Sequence, residues 1–410
     1  MRLEWSTGRA LVWVFTGGVF ALGVASAVAF AGTVIEVTVQ PQSRAQTIPV
    51  SIAMAQKLPD LPRGEQWQLR DEQGSIDVQV VGTNSRDLVF LLPVRQSANP
   101  TTRKLRLVQG PAPVSPIMAM EESEGGSIHL SEAGSRILSY NSGMMLKPGV
   151  AEDRRRSSYV HPIHAPDGTE LTDDFPADHL HHRGLSWMWP HTEIGGVDHN
   201  LWDVRGIRQK FEASEERTSG PVCSRLVVTN GWYVDDKRVA RERVDLIVYR
   251  GSTEGRVIDM ALVFEALEQT IRLTGEIGPE RKGYGGLCLR FAPRTETFIT
   301  TGEGGRQKDS NLLPFPWADL SGRFSSTGKL AGAAVFVDAR NPGFPNGWTL
   351  RNYGFLGVAW PGVQTYALEP GIPVTLRYRL WLHGGLPDKG VLEAQYRTFA
   401  HAPQVKVLTD

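Results

Sequence analysis

Along most of this chain apolar and polar residues alternate with a period of two. Thr33-Val34-Ile35-Glu36-Val37-Thr38-Val39 is the first clear run, followed by Pro49–Ala53, Ile76–Val80, Leu88–Leu92 and Lys104–Val108. Alternate side chains of a strand point to opposite faces, so these runs, separated by turn residues, predict a small antiparallel sandwich. Farther on, Arg225–Thr229, Arg243–Tyr249, Val257–Phe264, Ile271–Thr274, Ala333–Val337 and Val374–Trp381 have the same character. Only Gly390–Phe399 has the apolar spacing and the helix formers of a helix. The expected fold is all-β, a small sandwich followed by a large two-sheet one, with no internal repeat at solenoid or propeller period.

Punctuation sets the boundaries. Gln109–Pro116 is rich in proline, and Glu121–Gly126 is polar and ends in two glycines. The reading is therefore a small domain over 32–110, a linker over 111–126 and a large domain over 127–404. Residues 1–31 read as an export signal: Arg2 and Arg9 precede an uncharged stretch, and Ala29-Phe30-Ala31 offers a small-x-small cleavage site. An uncleaved membrane anchor is the alternative, since about 20 apolar residues suffice to span a bilayer. Either way the remainder is expected outside the cytoplasm, in the periplasm or beyond.

Charge excludes one class of partner. Lys+Arg and Asp+Glu are both 44, a formal net charge of zero, so no basic stripe is available for nucleic acid. Cys223 and Cys288 are the only cysteines, free to pair in an exported protein or to serve as small buried hydrophobes.

The chemistry concentrates between Tyr159 and Gly206. Seven of the 10 histidines lie there: His161, His164, His179, His181, His182, His191 and His199. Histidine titrates near neutrality and is a common metal ligand, so such density points to a functional site. If Asp178–Gly184 is extended, His179, His181 and Arg183 share one face and His182 takes the other. Asp198 or Asn200 could orient His199, and Trp202 could wall a sugar site. Arg290, Asp319 and Asp338, near the ends of later strand-like runs, are the expected second walls. His161, His164, His179 and His181 supply enough nitrogens for a divalent metal ion, although no spacing here specifies one.

YVHPIHAPDG, DHLHHRGL, GGVDHNLW, GGLCLRF, PWADLSG and DARNPGFPNGWTLRNYG follow one another between Ser127 and Ala402. In this they resemble a bacterial family catalogued as methane oxygenase PmoA, whose domain has no assigned function. Ala339 stands where that family usually has histidine. The family is similar to galactose-mutarotase-like proteins, which implies a large β-supersandwich and a carbohydrate substrate. His179-Leu180-His181 and Asp198-His199-Asn200-Leu201 partly match the catalytic loops of aldose mutarotases. Leu368-Glu369-Pro370-Gly371 before a closing strand suits the same fold. The resemblance thus implies His181 and His199 as a proton-transfer pair with Arg183 steering the substrate. His161, His164, His179, His182, His191, Asp198, Trp202, Arg290, Asp319 and Asp338 would line the pocket. The leading expectation is an exported enzyme acting on a sugar or glycoside by histidine acid/base chemistry. A non-catalytic glycan-binding protein and a histidine-rich metal-dependent hydrolase or oxidoreductase are the alternatives.

Overall fold

The computed structural model describes residues 32–55, 58, 61, 66–83, 86–111 and 118–408; the expected export segment lies outside them. The alternating runs become strands and the fold is all-β, built from antiparallel sheets with one α-helix among the described residues, Lys389–Ala400. Asp388 caps that helix, its carboxylate accepting from the Val391 amide. Leu392 turns inward against Trp317, Phe336 and Trp381.

The N-terminal strands form a seven-stranded sheet in the order Gln46–Ala53, Asp87–Val94, Gly74–Val81, Trp67–Asp71, Thr101–Gln109, Val34–Val39 and Gln404–Leu408. Alternate residues of these strands, among them Ile35, Val37, Val50, Leu69, Phe90 and Leu105, enclose one core. The opposite face contributes Val81 and Val89, which pack on Val222, Cys223 and Tyr249 of the large part. Two sequence expectations change here. Met118–Glu122, assigned to a linker, is an edge strand of a large sheet paired with Ser127–Glu132. The last strand of the small sheet comes from the opposite end of the chain, beyond residue 403, with Val405 opposite Val37. Both are short, polar-flanked segments whose pairing partners are distant or follow a turn, so local pattern alone did not mark them.

Two nine-stranded sheets and a four-stranded one build the large part and share a core that includes Trp187, Trp232, Leu246, Phe264, Trp348 and Leu380. The first sheet positions the site. Its order is Ser310–Pro314, Gly347–Arg351, Phe355–Ala359, Gly286–Arg290, Leu185–Met188, Tyr159–Ile163, Ser135–Asn141, Ser127–Glu132 and Met118–Glu122. On the face away from the core, register aligns Ser127, Asn141 and Tyr159; Ser186, Cys288, Gly357 and Thr349 align in the strands beyond, where Cys288 is part of the buried core. A loop leaves this sheet at Thr172, bridged to Phe291, and returns at Gly184, whose carbonyl accepts from the Arg290 amide. Only glycine fits that re-entry, because a Cβ at Gly184 would collide with the Val160 carbonyl oxygen. Cys223 and Cys288 are both free and buried; Cys288 lies 3.3 Å from the Ser186 hydroxyl, so each serves as a packed side chain.

Removing residues 404–410 should bare the edge of Val34–Val39 and strip Val405 and Val407 from the small core. We expect a loss of about 1–3 kcal/mol, confined to the small unit. Calorimetry should show its transition moving down while that of the large part stays; an unchanged profile would contradict this pairing.

Candidate functional site

The loop from Thr172 to Gly184 is built around Arg183, which is 1% exposed. Its guanidinium donates to the carbonyls of Leu180 (2.8 Å), His182 (2.7 Å) and Arg154 (3.1 Å). It also lies 3.3 Å above the Phe175 ring, and Nε is 3.5 Å from the Asp174 carboxylate. Phe175 takes φ 49, an unusual value for a non-glycine residue, and its amide donates to the His182 carbonyl. The segment therefore turns, with the His179 amide on the Pro176 carbonyl and the His182 amide on the His179 carbonyl. The expected extended conformation, with Arg183 on the same face as His181, is not present. Arg183 points under the loop because its donors are needed by three carbonyls there.

The turns fan His179, His181 and His182 into a cleft of about 310 Å³, with Trp202, Tyr284, Tyr353 and Phe355 as aromatic walls and Lys282, Asp309, Thr349 and Arg351 around it. His179 packs near-parallel to both His182 (4.6 Å, 5°) and Tyr353 (4.9 Å, 15°), which are 6.4 Å from each other, and His182 stacks on Phe355 at 5.0 Å. His181 stands edge-on to His179, ring centres 5.7 Å apart.

Each of the two outer imidazoles has a carboxylate behind Nδ1 and an arginine behind the carboxylate. His179 Nδ1 is 2.9 Å from Asp178, and Arg290 Nη2 donates to both oxygens of Asp178 at 2.8 Å. His181 Nδ1 is 3.6 Å from Asp203, longer than a hydrogen bond, and Asp203 is 3.3 Å from Arg154. A carboxylate facing Nδ1 favours the tautomer that carries its proton there and leaves Nε2 as the basic nitrogen. Among the described residues, neither Nε2 has a hydrogen-bond partner. Burial raises the Asp178 carboxyl, but hydrogen bonds from His179 and Arg290 outweigh it and hold it down at about 2. Burial lowers His181 to about 4 in spite of Asp203, and His182 to about 2 with help from the neighbouring histidines. Both are neutral bases at pH 7.

A second buried arginine holds the Trp202 side of the cleft. Arg156 donates to the Leu201 carbonyl and to Gln209 Oε1, both at 2.6 Å. Gln209 passes the bond on to Glu242, which is fully buried and also accepts from Asn230 and Trp232 at 2.7 Å. Burial raises the Glu242 carboxyl, and these donors restrain it.

Of the residues expected to act together, His179, His181, His182 and Trp202 converge, and Arg290 joins them through Asp178. The others lie elsewhere. His199 lines a different cavity with Ile194, Val197 and Val234, because the Gly195-Gly196 turn folds its strand back as a hairpin. It is not a partner of His181. His191 and Asp198 bond each other across that hairpin at 2.9 Å. Asp319 is 1% exposed and bound to His383 Nε2 at 2.9 Å, within the second large sheet. Asp338 accepts from the Arg340 amide and side chain at the start of a turn. His161 faces a second cleft, its Nδ1 3.0 Å from the Thr172 hydroxyl. His164 forms an isolated bridge with Glu170, and its Nδ1 is buried without a partner. Among the described residues, no group of three or more His, Cys, Asp or Glu side chains is placed to hold a metal ion. Tyr284, Phe355, Lys282 and Asp309 were not singled out from sequence; aromatic residues in apolar runs look like core.

The model of a family of unknown function, DUF6807, matches residues 127–397, and the chain belongs to that family. No curated protein matches the chain. Among solved structures, an alpha-mannosidase from Enterococcus faecalis V583 is similar with a TM-score of 0.43 and 9% identity. The match covers 92% of this chain and 46% of the mannosidase, so the chain spans under half the length of that protein.

The buried imidazoles give stability a pH signature. His161 (lowered to about 4 by burial, then by His164 and Arg183), His181 and His182 all sit below the ordinary value of 6.5. The folded state thus binds fewer protons than the unfolded one, so stability falls as pH drops below 6.5 and levels off only near 4 or lower. Asp174, pushed up to about 6 by burial against the pull of Arg183, works in the opposite sense and offsets part of this. His182→Phe keeps the stack on Phe355 and removes one titrating group. It should make the fall between pH 6 and 4 shallower by roughly 1.4 kcal/mol per pH unit, measured by denaturant melts. An unchanged slope would contradict the buried neutral His182.

Proposed function

We propose that this member of the family is an exported carbohydrate-active protein, and that its aromatic cleft takes a sugar or glycoside on which His179 and His181 exchange protons. The observation that carries the reading is the pair of imidazoles whose Nδ1 atoms are backed by Asp178 and Asp203 while both Nε2 atoms lack hydrogen-bond partners among the described residues. Trp202, Tyr284 and Tyr353 offer flat apolar surfaces with polar edges, suited to the C–H faces and hydroxyls of a sugar ring. The cleft, at about 310 Å³, lies at the small end of ordinary ligand pockets, ~300–1,000 Å³.

In this reading one imidazole removes a proton from a substrate hydroxyl or carbon as the other delivers one. Asp178 and Asp203 hold the rings in orientation and stabilise the imidazolium that forms, so the carboxylates are positioning residues. Arg290 helps to keep Asp178 ionised, and Arg154 lies 3.3 Å from Asp203.

The test is turnover on a panel of sugars and glycosides, with His179→Ala and His181→Ala measured beside the parent protein. Both side chains are about one-third exposed, so melting temperature should change little. The rate should fall about 10²–10⁴-fold for each. Tight binding without turnover would establish the glycan-binding alternative, and loss of melting temperature with an unchanged rate per folded molecule would make the histidines structural.

A further inference from the structure

The loop that carries the histidines has a cleft on its other side as well. That cleft, about 460 Å³, is floored by the outward-facing Ser139, Asn141, Tyr159 and His161, and Asp173 and Asp174 form its loop wall. Lys147 and Glu170 stand at its rim. None of this is absorbed by the proton-transfer pair. The Tyr159 hydroxyl donates to Asp174 Oδ2 at 2.7 Å, while Asp174 Oδ1 is buried without a hydrogen bond. The cleft therefore offers donors, acceptors and charges of both signs beside apolar surface from Met145, Leu146 and Phe175. Such a lining suits a ligand rich in hydroxyls and gives no preference to a simple anion or cation.

The two clefts have a fixed relation. They flank one loop whose inner side is clamped by Arg183 to the Leu180, His182 and Arg154 carbonyls and faces Asp174. The strand Tyr159–Ile163 under one and the strand Phe355–Ala359 under the other are separated by Leu185–Met188 and Gly286–Arg290. Three inter-strand steps at ~4.8 Å put the floors on the order of 14 Å apart, farther than one sugar ring reaches.

We propose that the second cleft is a further saccharide subsite, so that the ligand is an oligosaccharide or extended glycoside lying across the loop from Asp173 to Arg183. The inference rests on the carbohydrate reading above. A short saccharide fills one cleft; a chain long enough to reach both engages the second at high effective concentration, so affinity rises in a step with length instead of smoothly.

Isothermal titration with cello-, xylo- and manno-oligosaccharides, from the monosaccharide to the hexasaccharide, tests this. In at least one ladder we expect a step of about tenfold or more between short and long members. Lys147→Ala, at an exposed rim position, and Glu170→Gln, also at the rim, should each shrink the step and leave monosaccharide affinity unchanged. His179→Ala should weaken short and long members alike. A smooth rise with length, or a step that survives both second-cleft variants, overturns the subsite while leaving the histidine cleft standing. Absence of binding by every ladder, in a parent protein that also fails the sugar panel, overturns the carbohydrate reading itself and this inference with it.

Discussion

A guanidinium with almost no access to water is the constraint on which the histidine cleft depends. Arg183 is 1% exposed, and its hydrogen bonds go to carbonyls of three residues, two in its own loop and one in the preceding turn. Taking an unpaired charge out of water costs several kcal/mol, and removing one partner of a buried pair typically costs about 3–5 kcal/mol. The loop consequently has one arrangement that satisfies Arg183, and that arrangement sets Phe175 beneath it, Asp174 beside it and the three imidazoles outward. Arg156 does the same for the Trp202 side through the Leu201 carbonyl and the Gln209–Glu242 chain. The turn from Glu152 to Arg156 is thus common to both walls, since the Arg154 carbonyl meets Arg183 and the Arg154 side chain meets Asp203.

Preorganisation of this kind matters more than the number of histidines. Three imidazoles packed within ring-stacking distance repel one another when protonated, and burial already disfavours the charged forms of His181 and His182. A defined ring orientation is the outcome for His179 and His181, and carboxylates fixed by arginines supply it. Of the two relays the one through Asp178 is tighter, with a 2.9 Å bond against a 3.6 Å separation at Asp203. His179 is therefore the more rigidly oriented base, and His181 the one with freedom to adjust on ligand binding.

Much of this was legible in the sequence and part of it was not. Period-two alternation marked most of the strands, and spacing marked the helix, which runs over Lys389–Ala400 against an expected 390–399. The density of histidine marked the site loop. Strand parity failed at His179–Arg183 because a buried arginine bends that segment, and nothing in local pattern separates an inward arginine from a ligand-facing one. His199 failed for a different reason: a diglycine turn carries it to another cavity although only 18 residues separate it from His181. Tyr353 and Phe355 arrive from a distant hairpin, and their contribution follows from sheet order, which sequence periodicity does not encode. The C-terminal strand, Gln404–Leu408, is missed for the same reason, its partner being at the other end of the chain.

The most direct test of a preorganised imidazole pair is the protonation state of its ring nitrogens, read by nitrogen-15 NMR of histidine-labelled protein at pH 7 without any ligand. The geometry requires His179 to carry a proton on Nδ1, facing Asp178, and His181 to be neutral. A His179 signal from the Nε2-protonated tautomer, or rapid exchange between tautomers, would contradict it, because the carboxylate held by Arg290 would then not be setting the ring.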